Sequence, residues 1–372
     1  MLIGKLQEMN NLIETLKITD EQFEPIFSDI KDRYLSQTNF PKLIIGTGLS
    51  ISLGVSGMQG LTCELEKKFN DEENKEFLPL WEEYKPTKEQ GLEAALLNIS
   101  PSQKSFVDKI REITADFILK SDYESREKIL AESSGFEKMM NFLSKTVSVN
   151  AKIIDIMTPN YDLLIELISD KLKLETNLGF YGSLYQNFEP DRLKNPFKYI
   201  TKKIPIVRIF KPHGSINWIN NDGNVIQTND YTYLKSKTDN IEIITPGSMK
   251  YQYGLTHELF RIHRETFNEL ISDNSTNFSI FIYGYGFNDR HFDTVFENTT
   301  KDVIVLTMDI KQEIVKKAEA NHNWTLFYKR IIGEECKEEC KQEISYMVYK
   351  GKKYSINQNL WDMDVFADTF LG

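Results

Sequence analysis

Cysteine is scarce in this sequence, with three residues among 372. So few cysteines cannot form the disulfide framework of a small secreted fold, and we expect a reducing, cytoplasmic setting. No cysteine lies between Cys63 and Cys336, which excludes a zinc site of four cysteines within that span. Cys336 and Cys340 are four residues apart among Glu and Lys, a spacing that favours one face of a helix over a metal site. We therefore expect no bound zinc.

Long apolar runs and an excess of positive charge are also missing. No apolar segment is long enough to span a bilayer, and Met1 to Leu16 lacks the basic start and apolar block of a signal peptide. Lys and Arg number 45 against 55 Asp and Glu, which leaves a net charge of −10. An acidic chain is a poor ligand for nucleic acid or anionic membranes, so we expect neither as a direct partner. The length is typical of about two domains.

What the sequence does contain is an alternation of short apolar segments with helical patterns, which predicts an α/β fold with a doubly wound parallel sheet. Candidate strands lie at Lys42–Ile45, Ile153–Met157, Ile204–Phe210, Ile241–Thr245, Ser279–Tyr283 and, as the last clear one, Val303–Leu306. Helical periodicity in Ile3, Leu6, Ile13 and Leu16 predicts an amphipathic helix at the start. The charged, glycine-poor stretch 70–149 predicts a helical insertion, and Asn177 to Phe197 is typical of an irregular loop.

His213 follows one of these apolar runs, within the segment Lys211-Pro212-His213-Gly214-Ser215. A strand that ends in Pro and Gly places the next side chains at the edge of a sheet. Histidine titrates near neutrality and is the default proton acceptor of an active site. A lone histidine also fits a core residue that packs and hydrogen-bonds, so the catalytic interpretation depends on the other strand ends.

Three further stretches lie at the ends of apolar runs, where open α/β sheets bind their ligands. They are Gly46-Thr47-Gly48-Leu49-Ser50, Thr158-Pro159-Asn160-Tyr161-Asp162 and Tyr283-Gly284-Tyr285-Gly286-Phe287-Asn288-Asp289. Gly46 and Gly48 would let backbone N–H groups approach a pyrophosphate, although the loop lacks the third glycine of the usual dinucleotide motif.

Each stretch taken alone also has a structural interpretation. Small-residue turns after strands are common, and Asn160 and Asp162 fit the N-cap of a helix. Ser215 and Asn217 fit turn formers. The segment that starts at Tyr283 fits a plain strand-to-helix turn.

Taken together, in this order and spacing, the stretches resemble the sirtuin fold. Its Gly-Ala-Gly-hydrophobic-Ser, Thr-Gln-Asn-Ile-Asp and Leu-His-Gly-Ser segments are similar to the stretches at Gly46, Thr158 and Pro212. The stretch at Tyr283, and Ile244-Thr245-Pro246 through Lys250, resemble bacterial sirtuin-like defence proteins. The resemblance covers Leu43 to Ile310, apart from the helical insertion. Departures are Pro159 in place of Gln, a missing Pro-Asp-Phe-Arg stretch and the absent cysteine pairs, which put the deacylase groove in doubt.

The resemblance implies an NAD⁺ site with a role for each matching residue. Asn160 would hold a water and a ribose hydroxyl, and His213 would be the general base. Asp162 would lie near the nicotinamide amide. The remaining residues would bind the rest of the nucleotide: Gly46, Thr47, Gly48 and Ser50 the phosphates, Gly284 and Tyr285 the adenosine half, and Asp309 its ribose or adenine.

The same resemblance suggests the domain organisation. It implies a sirtuin-like, Rossmann-like NAD-binding domain over 41–69 and 150–330. The predicted additions are a helical N-terminal extension over 1–40, a helical insertion over 70–149 and a C-terminal extension over 331–372.

The implied activity is NAD⁺ glycohydrolysis, as in effectors of bacterial anti-phage defence that deplete cellular NAD⁺. Two alternatives stay open: a protein deacylase or ADP-ribosyl transferase that uses the same pocket, and a non-catalytic nucleotide-sensing subunit. Residues 1–40 and 70–150 carry apolar stripes that a nucleotide pocket does not need, which predicts a homo-oligomer built through these helical parts. The resemblance implies a partner, either a hexameric DNA-translocating ATPase or a short Argonaute. The segment Asn177 to Phe197 is a candidate for a loop that blocks the site until subunits assemble.

Overall fold

The computed structural model describes residues 14–87, 91–100, 102–147, 153–199, 205–245, 257–287, 299–333 and 345–372. Its strands are β1 (Glu14–Leu16), β2 (Lys42–Ile45), β3 (Ile153–Met157), β4 (Glu175–Asn177), β5 (Phe180–Gly182), β6 (Gln186–Phe188), β7 (Ile206–Phe210), β8 (Gly214–Asn221), β9 (Asn224–Gln227), β10 (Ile241–Ile243), β11 (Ile280–Tyr283), β12 (Val303–Ile310), β13 (Trp324–Ile331), β14 (Ser345–Tyr349) and β15 (Lys352–Ile356).

Helices lie between most of these strands. They are α1 (Phe23–Tyr34), α2 (Thr47–Ser52), α3 (Met58–Asn70), α4 (Leu78–Tyr84), α5 (Leu92–Leu96), α6 (Lys104–Ala131), α7 (Gly135–Thr146), α8 (Leu164–Lys171), α9 (Pro190–Lys194), α10 (Tyr231–Lys235), α11 (Glu258–Ser272), α12 (Gln312–Ala320) and α13 (Met363–Phe370), with 3₁₀ turns at Glu72–Phe77, Pro196–Lys198 and Thr238–Asn240. None of the described helices is long and apolar enough to cross a membrane.

The chain divides into two compact units, and the division falls inside β3. Unit 1 contains the described residues of Met1–Gly46, Ser134–Ile154 and Ser272–Gly372, and unit 2 those of Thr47–Ser133 and Asp155–Ile271. The fold is mixed α/β with mainly parallel pairing of its Rossmann-like strands, which confirms the predicted class. The domain boundaries suggested by the sequence are a different partition and stay a prediction.

Unit 1 is built on a sheet in the order β1-β15-β14-β13-β12-β11-β2. Strands β2, β11, β12 and β13 are parallel, whereas β14 pairs antiparallel with both β13 and β15. All four residues of β11 are buried, because a parallel strand is covered on both faces. The ring of Phe366 contacts the rings of Phe281 and Phe327 on one side of this sheet.

Unit 2 contains β3, β7 and β4 in that order, and a five-stranded antiparallel sheet in the order β10-β8-β9-β6-β5. The long helix α6 packs against the second sheet through Ala115, Ile118 and Leu119. The same helix contributes Phe106 and Ile110 to a separate helical core. That core also includes Leu61, Leu65 and Phe69 of α3. The predicted helical character of 70–149 is confirmed for the part of that range that the structure describes.

Two predictions about local structure are wrong. Glu14–Leu16 is a strand parallel to β15, not helix, and Ile3, Leu6 and Ile13 lie outside the described residues. The segment Asn177 to Phe197 is not irregular, because it contains β5, β6, α9 and the end of β4. Strand β1 pairs with β15 and β6 pairs with β9, partners that are distant in sequence, so local composition carries no signal of these pairings.

Three further predictions, for two strands and the glycine loop, agree with the structure only in part. The strand at Ile241–Ile243 lies in the antiparallel sheet, where it pairs with β8, and not in the parallel one. Val303–Leu306 is not the last strand, because β12 continues to Ile310 and three more strands follow. Thr47 and Gly48 lie in the first turn of α2, so the predicted glycine loop is reduced to Gly46.

Candidate active site

The loop that carries Asn160 and the turn that carries His213 follow two adjacent strands of unit 2. Strands β3 and β7 are neighbours, and the Thr158 N–H donates to the Phe210 carbonyl at 2.9 Å. Beyond β7, the Gly214 N–H donates to the Lys211 carbonyl at 3.1 Å and closes a tight turn around His213. The carboxyl ends of these strands therefore present both predicted catalytic residues at one edge.

Ser50 joins Asn160 and Asp162 in a buried hydrogen-bond network. The Asn160 amide donates to Ser50 Oγ at 3.0 Å, and Ser50 Oγ donates to Asp162 Oδ2 at 2.6 Å. All three residues are buried, with relative exposures of 3 to 8%. Residues more than 100 positions apart in sequence thus share one set of polar contacts. His213 is equally buried, and its carbonyl accepts from the Ile244 N–H at 2.8 Å.

The N-terminus of α8 is capped from another helix. Asp122 of α6 accepts from the Leu163 N–H at 2.7 Å, whereas Asp162 Oδ1 accepts from the Leu164 N–H at 3.3 Å. Asp162 therefore has the capping role that the sequence allowed, but its hydrogen bond is long. Asp122 makes the shorter hydrogen bond. Asp162 Oδ2 is directed to Ser50 instead. Both interpretations of Asp162 hold, because its two oxygens have different partners.

Burial raises the pKa of the Asp162 carboxyl to about 6, from its ordinary value of 3.8. Nearby Lys211 and the Ser50 hydroxyl oppose this rise, and Asp122 adds to it. The carboxyl therefore changes its charge close to physiological pH, which is common for groups in functional sites.

A buried lysine lies under the His213 turn and was not singled out from the sequence. Lys211 is fully buried, and its ammonium donates to the Asp162 carbonyl and to Ser215 Oγ, the latter at 3.1 Å. Glu166 of α8 lies 2.9 Å from the ammonium, without hydrogen-bond geometry, so this contact is an ion pair. A charged residue between Phe210 and Pro212 at the end of an apolar run was the signal that could have revealed it.

His263 of α11 lies beneath the same turn. Its Nδ1 accepts from the Lys211 N–H at 3.1 Å, and its ring stacks on Phe188. Complete burial, together with the Lys211 charge, lowers the pKa of His263 to about 3. This histidine is therefore neutral at physiological pH and acts as a packed hydrogen-bond acceptor, which is the role the sequence left open for His213.

Gly46, Gly284 and Tyr285 meet in unit 1 by close backbone approach. The Gly46 N–H donates to the Tyr283 carbonyl at 2.8 Å, and a Cβ on Gly46 would lie 2.6 Å from Tyr285 Cα. Gly284 has φ +61°, a conformation that glycine adopts without steric cost. These residues are therefore required by the backbone geometry of unit 1, whether or not they contact a nucleotide.

Asp309 lies on β12, where its carboxylate accepts two hydrogen bonds from Arg330, at 2.7 and 2.9 Å. The pair is 41 to 45% exposed. The predicted contact of Asp309 with the adenosine half stays a prediction, and Asn288 and Asp289 lie outside the described residues.

Within the described ranges, no group of three His, Cys, Asp or Glu residues is arranged to hold a metal ion. Cys336 and Cys340 lie outside those ranges, so the absence of zinc stays a prediction.

The unusual pKa of Asp162 predicts a pH-dependent contribution to stability. Unfolded Asp162 releases its proton near pH 3.8 and the folded residue near 6, so the folded state binds more protons in between. The free energy of unfolding should fall by about 3 kcal/mol on this account as pH rises through that window. Urea denaturation of wild type and Asp162→Asn from pH 4 to 7 should give curves that diverge. Parallel curves would contradict the burial of an ionisable carboxyl here.

Part of the chain matches a known protein family. Residues 155–304 match the SIR2-like domain family, a span that is less than half of the chain and includes Asn160, Asp162 and His213 but not Ser50. A search of curated proteins finds no match for the chain. The matched residues support a sirtuin-like family for this protein, and with it an activity that uses NAD⁺.

Proposed function

We propose that the chain is an NAD⁺ glycohydrolase that cleaves the nicotinamide–ribose bond. The observation that carries the proposal is the buried network of Ser50, Asn160 and Asp162, at the strand end next to the His213 turn. It joins residues of the Gly46–Ser50 stretch to residues of the SIR2-like match. A purely structural set of N-caps and turns would not require a serine from α2 to bridge two side chains after β3.

Hydrolysis of the nicotinamide–ribose bond requires that the ribose and a water be positioned and that one general base be present. As the bond from the ribose to the nicotinamide nitrogen breaks, its electron pair leaves with nicotinamide, which becomes neutral and needs no proton. The ribose carbon becomes oxocarbenium-like, as in glycoside hydrolysis. Water adds to that carbon and loses a proton to His213, a transfer worth ~10²–10⁴-fold in rate. The balance is NAD⁺ and water in, and nicotinamide, ADP-ribose and a proton out.

The polar side chains at the ends of β3 and β7 suit a ribose that carries a cationic leaving group. Asn160 supplies an amide whose orientation is set by its bond to Ser50, which reduces the entropy that must be lost in the reaction. Asp162 supplies a buried carboxylate above about pH 6, where it would stabilise positive charge on the sugar. His213 supplies a base in a buried turn from which bulk water is excluded.

The biological setting is part of the proposal. The sequence resemblance supports a role as the NAD⁺-depleting effector of a bacterial anti-phage system. We propose that the chain forms a homo-oligomer and acts with a partner, an ATPase translocase or a short Argonaute, because unregulated loss of NAD⁺ would kill the host. Assembly with that partner would regulate NAD⁺ cleavage at the site described above.

We expect purified protein to convert NAD⁺ to nicotinamide and ADP-ribose in equal amounts, measured by liquid chromatography. The assay is run alone and with the product of the neighbouring gene, and activity should survive EDTA. An acetylated-lysine peptide in a parallel reaction tests deacylation, because acetyl-ADP-ribose in place of ADP-ribose would identify a deacylase. Binding of NAD⁺ without turnover under every condition would contradict the proposal and identify a sensor subunit.

A further inference from the structure

Lys211 is linked, through its backbone or its ammonium group, to both segments that present the proposed catalytic residues. Its own backbone begins the turn that contains His213. Its Nζ donates to the Asp162 carbonyl, in the loop that follows Asn160, and to Ser215 Oγ at the start of β8. One side chain thus connects the loop after β3, the turn after β7 and the following strand.

The cost of burying this charge indicates that it has a role beyond packing. Lys211 is fully buried, and a buried ion pair is on average no more stable than apolar residues of the same volume. Its partner Glu166 is 15% exposed and makes no hydrogen bond to it within the described structure. An apolar residue between Phe210 and Pro212 would continue the strand's pattern at lower cost. An apolar residue could not donate hydrogen bonds both to the loop after β3 and to strand β8.

We propose that Lys211 is a positioning residue, which holds the Asn160 loop and the His213 turn in a fixed geometry for the reaction. This inference rests on the proposed function, because it concerns the same site. A displacement of about 1 Å in a reacting group can cost ~10²-fold in rate, so loss of this connection should reduce kcat more than it alters KM.

The experiment separates positioning from stability by neutralising the ion pair. Lys211→Met alone leaves the partly buried Glu166 carboxylate without its cation and should lower the melting temperature as well as kcat. Lys211→Met combined with Glu166→Gln removes both charges. The double variant should recover most of the melting temperature, while its kcat stays roughly 10- to 100-fold below wild type and its KM changes by less than about threefold.

The same strand offers a matched control. Arg208 lies three residues before Lys211 and forms a second buried ion pair with Asp155 of β3, at 2.6 Å. Its guanidinium also donates to the Leu193 carbonyl, and none of its recorded partners is in the Asn160 loop or the His213 turn. Arg208→Met with Asp155→Asn therefore removes a buried ion pair between β7 and β3 without changing a residue of the site. This control should keep wild-type kcat.

A second readout does not depend on activity. The chain has five histidines, so ¹³C-histidine labelling gives few signals, and His213→Ala identifies the one from His213. That signal should shift in the Lys211→Met/Glu166→Gln variant and stay unchanged in the Arg208→Met/Asp155→Asn control. If wild type does not cleave NAD⁺, the proposed function fails, and the His213 signal alone decides the role of Lys211. Wild-type kcat in the Lys211 double variant, an equal loss in the control, or an unmoved His213 signal would each overturn the inference.

Discussion

His213→Ala and Asn160→Ala are each expected to abolish measurable NAD⁺ cleavage while the protein stays folded. Loss of a general base typically costs ~10²–10⁴-fold in rate, and Asn160 is expected to be at least as important because it orients both water and ribose. Neither side chain contributes a large apolar surface, so the melting temperature should change little. Initial rates of nicotinamide release, with thermal unfolding of each variant, measure both effects.

The control for this experiment is His322→Ala, because His322 is an exposed histidine of unit 1 and has no proposed role. It should show the wild-type rate. His263→Ala is a second comparison, since that ring is buried beneath the turn and accepts from the Lys211 N–H. The main effect of His263→Ala should be a loss of stability. Turnover close to wild type in His213→Ala or Asn160→Ala would refute the catalytic assignment.

Gly214→Ala is expected to destabilise the protein by about 2–5 kcal/mol, the largest single effect on stability that we predict. Gly214 has φ +91°, and a Cβ there would overlap the Glu242 carbonyl and lie 2.9 Å from Ile243 Cα. The backbone conformation costs ~1–2 kcal/mol for an alanine and the overlap a further ~1–3 kcal/mol. The His213 turn ends at this residue, so NAD⁺ cleavage should fall as well. Urea denaturation measures the loss of stability.

Gly223→Ala, just beyond the other end of β8, is a closely matched control. Gly223 has φ +89°, nearly the same as Gly214, but a Cβ would meet no atom within 4 Å. It follows Asp222 in the tight turn between β8 and β9, an Asp-Gly pair typical of hairpins. Only the conformational cost of ~1–2 kcal/mol should remain. Equal losses in the two variants would show that the approach of Glu242 does not constrain the His213 turn.

Much of the parallel sheet was predictable because its strands are short apolar runs that end in Gly, Pro or Asn. The predicted strand at Ile153–Met157 is observed with the same bounds, and the one at Lys42–Ile45 likewise. Strands buried on both faces need continuous apolar sequence, so composition alone indicates them. The half-exposed strands β1, β4, β5 and β6 lack that signal and were missed.

The site was predictable only as a set of residue types at strand ends. The sequence, with its resemblance, led to Ser50, Asn160, Asp162 and His213, and the structure brings the first three into one hydrogen-bond network. Lys211 was not singled out, although a charged residue at the end of an apolar run is an unusual feature of the sequence. A lysine's ordinary position is at the surface, and only the packing of α8 and β8 around this one shows that its charge is buried.

The amino-acid sequence by itself determined the class of fold, the acidic charge and the chemical groups that the site can use. These follow from local pattern and composition, which act within a few residues. The tertiary structure alone decided which carboxylate would have a raised pKa, which residue would cap α8 and which histidine would be buried as a neutral acceptor. Asp162, Asp122 and His263 carry those roles because desolvation and hydrogen bonding depend on neighbours that are distant in sequence. No local pattern reports such neighbours before the chain is folded.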